Sequence, residues 1–147
     1  MKSAELLFKK NGEVFMHSSS LTKSNIWIGS PPFLRLKWSH LTAAEKMGFL
    51  NEVLDNSKTG IENPVSFKDY GGRLLKNYGF LNWSQLYKDA KLCSIKIEGN
   101  EYVFTPTFYD SSHFGYEGVT EEIERINSSA GQNEIILVLQ KAVEKCR

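Results

Sequence analysis

Between residues 107 and 118 the chain reads TFYDSSHFGYEG, which sets Asp110, Ser111, Ser112, His113 and Glu117 close together among Tyr109, Phe114 and Tyr116. A serine activated by a histidine that a carboxylate orients would be hydrolytic chemistry, and the atoms for it are here. Members of such triads usually arrive from separate elements, however. The chain also has no Gly-x-Ser-x-Gly turn to lift a serine above a sheet. Ribonucleolytic acid–base chemistry would need two of the histidines His17, His40 and His113 to meet in a cleft. His17 stands beside a serine run and His40 just ahead of a helix cap, so each reads as a surface or capping residue. The enzyme reading, a small hydrolase or ribonuclease, therefore rests on His113 with Asp110 or Glu117.

Other chemistries find less support. No Cys-x-x-Cys, His-Glu-x-x-His or comparable ligand spacing is present, and no phosphate-binding glycine loop, so neither a metal nor a cofactor is expected. Gly71-Gly72 sits inside a helical pattern without dinucleotide-fingerprint spacing and reads as a packing or bending site. The alternative for the opening stretch is a contact surface made by Tyr109, Asp110, His113, Tyr116, Glu117, Glu121, Glu122 and Glu124. Tyrosines bury much area with few rotors, and an acidic arc speeds encounter with a basic partner. Equally, the rings could pack inward while the acids merely solvate a helix start.

The elements that must position these groups read as follows. Leu6–Phe8 and Val14–Met16 flank Asn11-Gly12, a tight-hairpin dipeptide. Residues 25–29 form a further short strand, after which Pro31-Pro32 forces an extended or turning path. Thr42 with Glu45 makes a capping box for a helix whose face is Met47, Phe49, Leu50, Val53 and Leu54, and Gly48 within it implies close packing. Residues 56–64 read as a loop. Phe67, Tyr70, Leu74, Leu75 and Tyr78 mark a second helix ending near Gly79, Ser84 caps a short third, and Trp83 pins the corner between them. Residues 93–97 and 102–105 alternate around Glu98-Gly99-Asn100-Glu101 as a second hairpin, which Pro106 ends or places at an edge. Thr120 and the acids after it suit a helix start, with Ile123 and Ile126 facing inward, and a last helix runs from Gln132 or Asn133 to Lys145. The sum is α+β: an antiparallel sheet built from hairpins, with helices packed on it, in a single domain over 1–147.

Bulk properties narrow the function classes. A chain of 147 residues, 41% hydrophobic and 24% charged, can bury a substantial core without staples. Eighteen basic against seventeen acidic side chains leave +1, too little to draw the chain broadly to nucleic acid, and the dense basic pieces, Lys9-Lys10 and Arg35, Lys37, His40, read as solvated hairpin ends. Cys93 and Cys146 lie outside redox or metal spacing and are expected as reduced thiols, although a disulfide between them stays open. With no secretory core or membrane-length apolar run, a cytoplasmic protein is expected.

Taken in order, the leading hairpin, the segment Met47-Gly48-Phe49-Leu50 with Val53-Leu54 and Ser57, the run Tyr78-Gly79-Phe80-Leu81-Asn82-Trp83 leading to Leu86-Tyr87-Lys88, the Ile95/Ile97 and Tyr102-to-Pro106 hairpin, and the closing amphipathic helix ending near Cys146 carry a likeness. The sequence resembles the immunity proteins of bacterial contact-dependent growth inhibition systems, in the group first catalogued as a domain of unknown function. The Met47 segment is similar to that family's Leu-Gly-x-Ala-Leu-like helix, from which Met47 and Phe49 depart. The resemblance implies a non-catalytic protein that binds the toxic C-terminal domain of a cognate inhibition protein, many such domains being nucleases that often act on tRNA. It implies a heterodimer with that toxin and no direct contact with nucleic acid or membrane. A regulatory nucleic-acid-binding module is the third class that the residues leave open.

Overall fold

The computed structural model of the chain describes residues 1–112 and 115–147. Gly12, at φ +90, closes the turn that Asn11-Gly12 predicts, and β1 (Lys2–Lys9) pairs antiparallel with β2 (Glu13–Thr22) in the register Leu6↔Met16 and Leu7↔Phe15. β3 (Trp27–Lys37) adds to the far side of β2. It does not stop at the prolines: the strand runs through a cis Pro31-Pro32 bond, and the pairing shifts opposite it between His17 and Ser18. α1 (Ala43–Asp55) begins at the predicted capping box, where Thr42 and Glu45 each accept from the other's backbone N–H. The predicted loop after it holds a short strand, β4 (Thr59–Ile61), parallel to β2 at Leu21 and Thr22.

α2 (Phe67–Asn77) and α3 (Trp83–Asp89) follow. The cap of α3 is Asn82 rather than Ser84: its side-chain oxygen accepts from Gln85 N–H at 2.8 Å, while Gln85 Oε1 reaches back to Leu81 N–H at 2.7 Å. Trp83 does hold the corner, since a Cβ at Gly71 would lie only 3.0 Å from its ring. Close packing at Gly48 is not found, because nothing lies within 4 Å of where its Cβ would stand.

β5 (Ala90–Glu98) and β6 (Glu101–Asp110) form the second hairpin, which continues past Pro106. Pro106 falls where β6 changes its outer partner from β8 (Glu124–Asn127), opposite Glu101–Phe104, to β7 (Gly115–Gly118), opposite Thr107–Asp110, a place where a missing N–H breaks no ladder bond on that side. The helix expected at Thr120 is a single 3₁₀ turn, Thr120–Glu122, leading into β8. The open edge of β6 takes those residues as a strand. α4 (Gln132–Lys145) closes the chain as predicted.

The main strand order is β3-β2-β1-β5-β6-β7. Alternate residues serve opposite faces. Ala4, Leu6, Val14, Met16, Cys93, Ile95, Tyr102 and Phe104 meet α1 and α4 in the larger core, whereas Leu7, Phe15 and Leu92 meet Leu75, Tyr78, Phe80 and Leu86 of the α2/α3 layer. Helices thus cover both faces, not one, which is why β2 reads as an almost continuous buried run from Val14 to Ser20. No helix among the described residues is long and apolar enough to cross a membrane.

Candidate functional site

The opening stretch forms the β6–β7 hairpin, and its register divides the predicted contact residues between two faces. Tyr109 is opposite Tyr116, and both lie on the α3 side, where Tyr109 stacks on Tyr87 at 4.1 Å and Tyr116 meets the same ring edge-on at 5.2 Å. The Tyr116 hydroxyl donates to Ala90 O at 2.8 Å, and burial raises its pKa well above the ordinary phenol value, with the neighbouring Tyr87 adding to the shift. Asp110, opposite Gly115, and Glu117, opposite Phe108, occupy the alternate positions and so belong to the other face. Asp110 Oδ1 accepts from Ser112 N–H at 2.9 Å and Ser112 Oγ–H at 2.6 Å, an Asx turn repeated where Asn127 accepts from Ser129 in the same two ways. The geometry makes Asp110 and Ser112 a turn device. His113 lies outside the described residues.

The remaining acids follow the hairpin. Glu121 is exposed in the 3₁₀ turn and accepts from Thr120 Oγ–H at 3.3 Å. Glu122 pairs with Arg147 at 3.2 Å and Glu124 with Lys145 at 2.7 Å, so the end of α4 already opposes two members of the arc. Glu117 and Glu121 are its exposed members.

A group the sequence reading missed lies beneath α2 and α3. His17 is 1% exposed, buried rather than on the surface: its ring sits so close to β3 that a Cβ at Gly29 would be 2.9 Å away. Nδ1 is 2.7 Å from Tyr78 Oη, and Nε2 is 3.2 Å from Glu5 Oε2. Burial, and secondarily the Glu5 charge, push the Tyr78 phenol far up, so Tyr78 keeps its proton; in the ring tautomer whose Nε2–H donates to Glu5, Nδ1 accepts from the Tyr78 hydroxyl. The chain ties β1, β2 and the end of α2 together, with both ring nitrogens engaged. Beside it a cavity of about 430 Å³, lined by Glu5, Ser94, Lys96, Thr105, Trp83 and Tyr116 among others, opens over the part of the sheet that α2 and α3 leave uncovered. Buried polar alternation on β1, β2 and β5 was the signal for it, readable only once helices are known to cover that face.

Cys93 and Cys146 are both free and buried. The neighbouring Cys146 thiol and, secondarily, burial raise the pKa of Cys93 well above the ordinary thiol value. The pairing acts in the opposite direction on Cys146, whose pKa the neighbouring Cys93 thiol lowers, helped by the Thr107 backbone and Lys91 against the effect of burial. As a thiol, Cys146 lies 3.2 Å from Leu92 O and anchors the end of α4 to β5. No group of three or more His, Cys, Asp or Glu side chains among the described residues is arranged to hold a metal ion.

Comparison with known proteins places this architecture. The family model described as "CdiI: CDI immunity protein" matches residues 3–146. Solved structures share the fold, among them two. One is a protein of unknown function, NMB0488 from Neisseria meningitidis, with TM-score 0.77 and 14% identity over 99% of this chain and 95% of that one. The other is from the CdiA-CT/CdiI toxin and immunity complex of Yersinia pseudotuberculosis, with TM-score 0.72 and 16% identity over 100% of this chain and 99% of that one. No curated protein matches the sequence.

Proposed function

The chain belongs to the CDI immunity protein family, and we propose that it binds the C-terminal toxin domain of a cognate contact-dependent growth inhibition protein and covers that domain's active site. The match across residues 3–146 carries the reading. The Yersinia structure of the same fold comes from a toxin and immunity complex, which supports a protein partner of that kind here. The action is stoichiometric, in a heterodimer formed in the cytoplasm by a single domain, and requires neither catalysis nor contact with nucleic acid or membrane. The toxin that this surface suits is a nuclease: a cleft built for phosphate is basic, and the carboxylates of Asp110, Glu117, Glu121, Glu122 and Glu124 complement it. Tyr109 and Tyr116 brace that edge from the α3 side through Tyr87. His113, next to Ser112 in the sequence, belongs to the proposed surface as well.

The rival enzyme reading loses support from the Asx turn, which engages Asp110 and Ser112 in holding the hairpin. Co-expression of the toxin domain encoded beside this chain tests the proposal. Recovery of a one-to-one complex and survival of cells that make both proteins are expected. Capture without protection, or no capture, would overturn it, as would hydrolysis of RNA or an ester by this chain that disappears in His113→Ala.

A further inference from the structure

A second concave site gathers charge that the sequence scatters. At the end of the β1–β5 pair, a cavity of about 360 Å³ is lined by Lys9, Lys10, Lys88, Lys91 and Arg147 against a single carboxylate, Asp89, with Tyr87 and Tyr109 in its wall. Four segments supply the cations: the β1 end and its turn, the last turn of α3, the start of β5, and the chain beyond α4. Two of them are engaged, Lys9 with Asp89 at 3.6 Å and Glu13 at 3.8 Å, and Arg147 with Glu122 at 3.2 Å. Lys10, Lys88 and Lys91 are exposed and have no ion-pair partner among the described residues. Asp89 is thus opposed by Lys9, and the cavity keeps an excess of positive charge.

We propose that this cavity binds a nucleoside phosphate, its phosphate held by Lys10, Lys88 and Lys91 and its base against the Tyr87–Tyr109 stack. Three features select that class over an acidic peptide. The unpaired cations are three lysines, point charges of the kind that bind phosphate, and together they match the double charge of a phosphate monoester better than the single charge of one carboxylate. The tyrosine rings lie 4.1 Å apart and 24° from parallel, a stack that a planar base extends. The volume lies within the range of small-ligand pockets, about 300–1,000 Å³. The site adjoins the proposed toxin surface at Arg147 but does not rest on the immunity reading.

Calorimetric titration of the full chain, without toxin, is the test. Adenosine 5′-monophosphate is expected to bind saturably, and adenosine or inorganic phosphate alone at least tenfold more weakly. The charge reversals Lys88→Glu and Lys91→Glu together should weaken binding at least tenfold, whereas Lys141→Glu, on exposed α4 surface, should not. A 5′-phosphorylated RNA pentamer distinguishes a free nucleotide from the end of a strand. If it binds tighter than the mononucleotide and loses about 20-fold in affinity between 50 and 200 mM salt, as three neutralised phosphates would give, the strand is the source. Equal affinity assigns the free nucleotide. No saturable binding of either probe, or binding unchanged by the double reversal, overturns the proposal.

Discussion

At the scale of single residues, the hydrogen-bond chain through His17 gives a direct test of what the α2/α3 layer does for stability. Tyr78→Phe keeps the ring that stacks on Phe15 at 4.6 Å but removes the donor to a histidine that is 1% exposed. An unmet buried acceptor costs about 1–3 kcal/mol, so the urea midpoint should fall with little change in slope. The opposite sign is expected at Gly48. It is exposed in the middle of α1 with open space around its Cβ position, so Gly48→Ala should raise stability by about 1 kcal/mol in the same measurement. Phenol titration supplies a pH prediction. Burial raises the pKa values of Tyr78 and Tyr116 in the folded chain, so unfolding releases their protons above the ordinary phenol value of about 10. Their stabilising contribution is complete below pH 10 and is lost as pH rises beyond it. Absorbance near 295 nm should therefore show these phenolates appearing only with unfolding, and Tyr78→Phe should remove part of the alkaline sensitivity.

At the scale of elements, the caps decide a prediction between two neighbouring residues. Asn82→Ala should cost about 1 kcal/mol because it removes the acceptor for Gln85 N–H, while Ser84→Ala, inside the first turn of α3, should cost little. The same comparison shows what could be read from sequence. The Thr42/Glu45 box, both hairpins and α4 were legible because their signals are local: a reciprocal cap, a turn dipeptide, a period of 3.6. Asn82-x-x-Gln85 carries an equally local signal, which the serine two residues further on obscured. Residues 120–126 could not be assigned locally. Their acids and the Ile123/Ile126 spacing suit one helical turn, but a helix that short is marginal, and the unpaired edge of β6 at Glu101–Phe104 offers backbone partners instead. Of the two readings of Pro106, the strand end fails and the edge position fits, since its missing N–H falls at the junction between β7 and β8. The candidate site was legible as a list of residues and not as a surface. Period two sends Tyr109 and Tyr116 to one face and Asp110 and Glu117 to the other, a division that needs the register of β7 to be known.

At the scale of the whole molecule, a net charge of +1 hides a separation of sign. Carboxylates follow the β6–β7 edge and the 3₁₀ turn, lysines surround the cavity beside Asp89, and the two regions meet at Arg147, which pairs with Glu122 and lines that cavity. A basic toxin approaching this surface would be drawn toward Asp110, Glu117 and Glu121 and repelled from Lys88 and Lys91, so the boundary would orient it before contact. The two halves then have opposite effects on one rate constant. Glu121→Gln, Glu122→Gln and Glu124→Gln together should slow association by about fivefold in low salt, and Lys88→Glu with Lys91→Glu should speed it, both differences shrinking as salt shortens the Debye length to below about 10 Å. Dissociation should change less than association, because exposed charges act mainly on encounter. Stopped-flow measurement with the cognate toxin domain at several salt concentrations checks all three statements. If the lysine reversals slow association as well, the toxin is not steered as a basic partner, and the acidic edge loses its place as the contact surface.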